Sequence, residues 1–405
     1  MEACGELSPP PRTLLGPGPS NVHPRVLRAL STPLVGHLDP EFIRLMEETK
    51  ALLRFVFQTS NPLTLPISGT GSAGMETCFV NMVEPGDEVV IGVNGVFGTR
   101  MVDVVKRCGG TPVIMETLWG SVFNPDDVRA ALKRCTRPKL VALVNAETST
   151  GAWQPLADIA PLVHEAGALF LVDAVTSLGG CPLKIDEWQI DVCYSGTQKC
   201  LSCPPGLSPV TFSPAAQEVI RNRKHKVQSW YLDLSLLEQY WGEERVYHHT
   251  APISMNYALR EALRLISEEG LAARFRRHED NHLALSAGLN ALGMRLVAQE
   301  DARLWMLNNV AIPDGIDDAT VRQHLLAEYN IEIGAGLGVF AGKVWRIGLM
   351  GESSTRSNVL LVLSALEAVL QQNGHACAAG ASVSAAQEVY ATRGSRARLN
   401  QHEAR

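Results

Sequence analysis

The chain has 405 residues, 46% hydrophobic and 19% charged, with 36 basic against 42 acidic side chains and a net charge of −6. That composition supports a sizeable buried core over two or three domains, and it excludes both wholesale disorder and the basic surface of a general nucleic-acid binder. No run reaches the ~18 apolar residues of a membrane span, no secretory leader opens the chain, and nine scattered cysteines suit a reducing, cytoplasmic compartment.

In chain order, the first feature is Ser68-Gly69-Thr70-Gly71-Ser72-Ala73-Gly74-Met75-Glu76, between PLTLPI and the helical pattern METCFVNMV. Small residues let backbone N–H groups approach an anion, and the helix start adds its dipole. No GK[ST] follows, so this is not a Walker loop; a bare glycine-rich turn is the alternative. β-rich runs then alternate with helix-like stretches: EVVIGVN (88–94), TPVIM (111–115), KLVALVN (139–145), ALFLVDA (168–174), DVCYSG (191–196) and LSPVTF (207–212). Helix caps are expected at Asn124-Pro125-Asp126-Asp127 and at Asp158. Continuous apolar strands joined by helices indicate an α/β fold with a mostly parallel sheet covered on both faces. Ligands of such a sheet sit outside the carboxyl ends of its strands.

Asp173 closes the fourth run, and Lys199 follows the fifth. Taken singly, they read as a turn aspartate and a surface lysine. Together they meet the requirement of pyridoxal phosphate, an amine for a Schiff base and an acid that keeps the pyridine nitrogen protonated. Metal chemistry is not expected. His248 and His249 are adjacent and would point apart on any regular element, and Cys200 and Cys203 have no second CxxC pair. Pro204 and Pro205 argue against a thioredoxin-type helix start there. A long helical pattern from about Met255 to Leu292 precedes shorter signals (MRLVA, NNVAIP, IEIGAG, KVWRIGL), which read as a smaller α+β domain with a boundary near 265. The Ala/Ser/Gly-rich residues from 376 are expected to form a frayed tail.

The segment Ile190 to Val210 resembles the lysine signature of class V aminotransferases, with Asp191, Gly196, Thr197, Gln198 and Lys199 ahead of Pro205-Gly206. LLGPGPSN (14–21), FQTSNPLTLPISGTG (57–71), NAETSTG (145–151), YHHTAPIS (247–254) and GKVWRIGLMG (342–351) are similar to alanine–glyoxylate and serine–pyruvate aminotransferases. The resemblance runs over roughly residues 13 to 370 and looks closer to bacterial members than to animal ones.

The resemblance implies a fold-type I, pyridoxal-phosphate-dependent homodimer with its active site at the subunit interface. It divides the chain into an arm (1–20), a large domain with a seven-stranded-type sheet (21–265), a small domain (266–375) and a tail (376–405). Carried over by residue, Lys199 would hold the cofactor and move the proton, and Asp173 would face the pyridine nitrogen. Thr70, Gly71, Ser72 and Gln198 would hold the phosphate, joined by Tyr247 and Thr250 of the neighbouring subunit. Thr148 would contact the phenolic oxygen. Phe97 would stack on the ring, where animal enzymes carry tryptophan. Arg346 would pair bidentately with the substrate carboxylate, and Gly16 and Gly18 would line a pocket for a small oxo acid. Without the resemblance, Arg346 reads as a strand arginine and the two glycines as an arm turn. Ser72 departs from the family, which places a histidine there. The end QHEAR is not an SKL-like address. The implied activity moves an amino group from alanine or serine to glyoxylate or pyruvate by a ping-pong route. The alternatives are a related class V enzyme, such as an aminoethylphosphonate–pyruvate transaminase or a lyase, and a non-catalytic binding protein. Desulfurase chemistry would need a mobile late-domain cysteine, where only Cys377 occurs.

Overall fold

The computed structural model describes residues 4–403, with side chains as far as Gly394. The arm carries a short strand, β1 (Thr13–Leu14), and leads into α1 (Pro24–Leu30) and α2 (Pro40–Phe57). His23 and Asp39 cap these helices, and each has a proline in its first turn, where the missing N–H costs nothing.

The main sheet follows. Its elements are β2 (Leu63–Ser68), α3 (Gly71–Met82), β3 (Glu88–Val93), α4 (Val96–Arg107), β4 (Thr111–Glu116), α5 (Pro125–Leu132) and β5 (Pro138–Val144). A small hairpin, β6 (Ala146–Glu147) and β7 (Ala152–Trp153), precedes α6 (Ala160–Glu165), β8 (Leu169–Asp173), β9 (Val192–Tyr194) and β10 (Leu207–Phe212). The strand order is β2-β10-β9-β8-β5-β3-β4, parallel throughout except that β10 runs against both of its neighbours. The six predicted runs are six of these seven strands. The seventh, β2, is an edge strand that carries Pro66 opposite Pro209 of β10, and the proline weakens the strand signal of its run. Helices cover both faces, with Phe42, Phe79 and Val105 in one core and Leu53, Val128 and Phe170 in the other. The predicted capping box at Asn124 is complete with Asp127, whereas α6 begins after Ile159 without a side-chain cap from Asp158.

Beyond α7 (Pro214–Arg221) and α8 (Leu234–Trp241), the single long helix expected from 255 to 292 is two helices, α9 (Ile253–Glu269) and α10 (Leu271–Ala291). Gly270 breaks them at a φ of 78°, a conformation that favours glycine. On either side of Gly270, α9 packs on α1 and α2 while α10 packs on the C-terminal helices. The small domain holds β11 (Leu307–Ala311), α11 (Asp318–Tyr329), β12 (Ile331–Glu332), β13 (Gly334–Ala335), β14 (Val344–Gly348) and α12 (Arg356–Gln372). Its sheet is antiparallel, in the order β11-β14-β13, and β12 pairs with β1, so the arm belongs to this domain.

The segment from 376 is not a frayed tail. It forms α13 (Ala381–Glu403), packed on α10 and α12. Ser382 donates to Glu367 from its amide and its hydroxyl, Tyr390 donates to Asn281 at 2.7 Å, and Ala386 is fully buried. The contact face is made of small residues, which composition alone reads as disorder. None of the described helices is long and apolar enough to cross a membrane.

Candidate active site

Asp173 ends β8 at the carboxyl edge of the sheet and is only 2% exposed. Its Oδ2 accepts from the Tyr194 hydroxyl at 2.7 Å and its Oδ1 from the Val175 amide at 2.8 Å. Burial pushes its pKa up to about 6 against these two donors and the charges of Lys199 and Arg100. A buried carboxylate with one donor per oxygen and no ion pair among the described residues is prepared to receive a cationic or N–H group.

Lys199 lies in the turn after β9, held by Ser202 N donating to its carbonyl at 3.0 Å and by Cys203 N donating to Thr197 O at 3.0 Å. Burial and the nearby positive charge of Arg346 lower its pKa to about 8, so a useful fraction is neutral amine near physiological pH. The arm reaches it directly. Lys199 Nζ donates to Pro17 O, and Ser20 Oγ donates to Lys199 O at 2.8 Å. A Cβ on Gly18, whose φ is +112°, would lie 2.7 Å from Nζ, so glycine is required both for the turn and for the approach. Just upstream, Leu15 O accepts from Gly348 N at 2.7 Å, which ties the arm to β14.

Arg346, in the middle of β14, is 8% exposed. Its Nε donates to Ala335 O at 2.6 Å, while its two terminal nitrogens have no partner among the described residues. Burial lowers its pKa to about 10. A guanidinium left with an open fork in a dry site is suited to bind a carboxylate.

The glycine-rich run forms the start of α3. Thr70 is its N-cap residue but makes no side-chain cap bond, and the amides of Gly71 and Ser72 have no acceptor among the described residues. These free donors make an anion cradle. Beside it, the buried Gln198 Oε1 is likewise without a partner. Together with Phe97, Thr148, Asp173 and Lys199, Thr70, Gly71, Ser72 and Gln198 line one cavity of about 240 Å³.

Two residues not read from the sequence organise this cavity. Glu147, fully buried, accepts from Ser149 N and Oγ and, at 3.0 Å, from Phe97 N, so it anchors the start of α4 and thereby Phe97. Burial raises its pKa to about 6. Arg100 lines the cavity one turn after Phe97, with its guanidinium 5.0 Å from that ring's centroid. The clue to Glu147 was its place in NAETSTG beside Thr148; Arg100 gave none.

The remaining predicted site residues behave differently. Gly16 is buried under β14 beside Gly348, and neither Tyr247 nor Thr250 reaches the cavity of its own chain. Tyr247 is 58% exposed and packs on His37. His248 and His249 turn inward rather than apart. Their Nδ1 atoms lie 2.8 Å from each other, and His249 Nε2 meets Ser68 Oγ at 2.7 Å, which is possible because the segment is not a regular element. The nine cysteines are free thiols, and no cluster of three or more metal-ligating residues occurs among the described residues.

One small cavity at the sheet edge is lined by a depressed lysine, a raised carboxylate and an anion cradle, and the open arginine of β14 acts on that lysine; these are the marks of an active site. Residues 14–356 match the family model for class-V aminotransferases. The chain is 44% identical to the (S)-ureidoglycine–glyoxylate transaminase of Bacillus subtilis, over 98% of this chain and 100% of that one. It is also 44% identical to the alanine–glyoxylate aminotransferase of Callithrix jacchus, over 90% of this chain and 89% of that one. The crystal structure of an alanine–glyoxylate aminotransferase from Nostoc sp. superposes with a TM-score of 0.89 at 53% identity, covering 91% of this chain and 97% of that one. The chain belongs to the class-V aminotransferases: it is a transaminase with the type I fold.

Proposed function

We propose that this aminotransferase uses pyridoxal phosphate to move an amino group from alanine or serine to glyoxylate. The open guanidinium fork of Arg346, whose charge acts on Lys199, is the observation that carries the reading, because it offers a carboxylate site near the amine. The residues present fit the cofactor. The free amides of Gly71 and Ser72, with the side-chain N–H of Gln198, suit its phosphate, the buried Asp173 suits a protonated ring nitrogen, and Phe97 offers a ring face. When bound, the cofactor supplies an electron sink for the substrate's Cα–H bond. Arg346 binds the substrate carboxylate and fixes which Cα bond faces Lys199. Lys199, partly neutral because burial and Arg346 lower its pKa, takes the Cα proton and returns it on the other side of the transfer. Asp173 keeps its charge opposite the ring nitrogen, and Glu147 holds α4 so that Phe97 stays in place.

The exposed Tyr247 and Thr250 support a homodimer in which each copy completes the other's cradle, whose own Thr70 and Ser72 are open to solvent. The free thiols suit a reducing, cytoplasmic setting. A second reading takes ureidoglycine as the donor. It is favoured by the Bacillus subtilis relative, which matches 98% of this chain against 90% for the marmoset enzyme. The test is a visible absorbance scan of the purified protein followed by a donor panel at fixed glyoxylate. Turnover with alanine or serine is expected, while turnover confined to ureidoglycine installs the second reading. Lys199→Ala should lose both the visible band and turnover; a variant that keeps them removes Lys199 from its role.

A further inference from the structure

We infer that Tyr194 is a positioning residue for the transamination, holding Asp173 in one orientation and setting how tightly that carboxylate draws the proton of the cofactor's ring nitrogen. The inference rests on the pyridoxal-phosphate reading above. Tyr194 lies opposite Asp173 in the β8–β9 register and is fully buried. Its hydroxyl donates to Asp173 Oδ2 at 2.7 Å, and Val175 N is the only other donor to that carboxylate among the described residues. Val210 of β10 pairs with Tyr194 on the far side, and Tyr194 shares its core with Met75, Cys78 and Phe79 of α3. A Cβ on Gly74 would lie 1.9 Å from Ser208 Oγ and 3.4 Å from Tyr194 Cβ, so α3 packs closely on β10, with ordinary contact to Tyr194, because position 74 is glycine. Burial and the charge of Asp173 push the phenol well above its usual range, so it stays a donor. A donor to an ionised carboxylate stabilises the ion, and removing it makes the carboxylate more basic. A more basic Asp173 draws the shared proton away from the ring and weakens the ring's positive charge.

A phenol that merely satisfies a buried carboxylate would give the same distance, so the test must separate stability from tuning. In Tyr194→Phe, kcat is expected to fall about tenfold, the worth of one hydrogen bond to an ion, with the donor KM within about twofold. The Kd of the apoprotein for pyridoxal phosphate should weaken severalfold, and the pH midpoint of the holoenzyme's visible absorbance should rise. Replacing tyrosine with 3-fluorotyrosine, a stronger donor, in a Tyr247→Phe background should move that midpoint down; it also tests the inference if Tyr194→Phe does not fold. In an Asp173→Asn background, Tyr194→Phe should leave the apoprotein's Kd nearly unchanged. An unshifted midpoint in the fluorotyrosine enzyme, or an undiminished effect on Kd in the Asp173→Asn background, overturns the inference. A wild-type apoprotein that takes up no pyridoxal phosphate overturns the cofactor reading along with it, whereas uptake with insensitive tyrosine variants overturns this inference alone.

Discussion

The carboxyl and amino edges of the main sheet are built from the same strands and treat charge in opposite ways. At the carboxyl edge, Asp173 and Glu147 rise to about 6, Lys199 falls to about 8 and Arg346 to about 10, in each case chiefly through burial. All four move toward the neutral form, and none has an ion-pair partner among the described residues. At the amino edge, a groove of about 1320 Å³ lies along the starts of β3, β4, β5 and β8. Two of its carboxylates are well supplied with donors. Glu84 accepts from the amides of Lys224 and His225 and from the His225 ring, and Glu88 accepts from Arg137 N. Burial would raise the Glu84 carboxyl, but these bonds hold it below the ordinary carboxylate value. Glu84 in the larger hollow is thus held in its charged form, while the four groups at the smaller one are pushed toward neutrality. What marks the site is the energy left in unpaired buried charge, and volume carries no such information.

Breaking that pattern at its centre should have the largest effect. Asp173→Asn keeps the shape and removes the charge, and its single acceptor oxygen can serve only one of the Val175 amide and the Tyr194 hydroxyl. We expect kcat to fall by about a thousandfold, ~4 kcal/mol of transition-state stabilisation, with the donor KM changed far less. Steady-state kinetics with alanine and glyoxylate check this; a loss under tenfold would mean that Asp173 does not face a charge. Arg346→Lys is the next step down. A lysine cannot reproduce the fork, so the donor KM should rise about tenfold while the visible band persists. An unchanged KM takes Arg346 out of the carboxylate site.

The comparison also shows which residues could be read from the sequence. Asp173 stands at the end of an apolar run, where a charge is expensive unless it is used, and it was its pairing with Lys199 after the next strand that pointed to the cofactor. The glycine-rich run announced a backbone that needs close approach. Tyr194 and Glu147 carry no such mark. An aromatic inside DVCYSG is ordinary strand chemistry, and only the β8–β9 register sets its hydroxyl on Asp173. Glu147 becomes legible once α4 arrives to offer the Phe97 amide, a contact between segments 50 residues apart. Likewise β2 and α13 escaped because edge position and small-residue packing are tertiary facts: Pro66 is tolerated by an edge, and Ser382 meets α10 only because Gly288 lets it approach. Pattern located the charged centre, and topology was needed for the groups that hold it.

The weakest effects sharpen the contrast between the two edges through its sign. Lys199 has a folded pKa of about 8 against an ordinary 10.5, so below about pH 8 the apoprotein carries a buried charge that the unfolded chain solvates. Lys199→Met should therefore stabilise the apoprotein at neutral pH, by at most about 3 kcal/mol, and the gain should fade between pH 8 and 10.5. Glu84 is the mirror case. Its folded pKa is lowered, so its contribution is present above the ordinary carboxylate value and is lost as pH falls through its depressed one. Glu84→Gln should cost no more than about 1 kcal/mol at pH 7, nothing at strongly acid pH, and should leave kcat and KM unchanged. Urea unfolding of both variants across pH reads the two signs together. If Lys199→Met destabilises at neutral pH, or Glu84→Gln alters turnover, the two edges do not divide function from structure as their charges indicate.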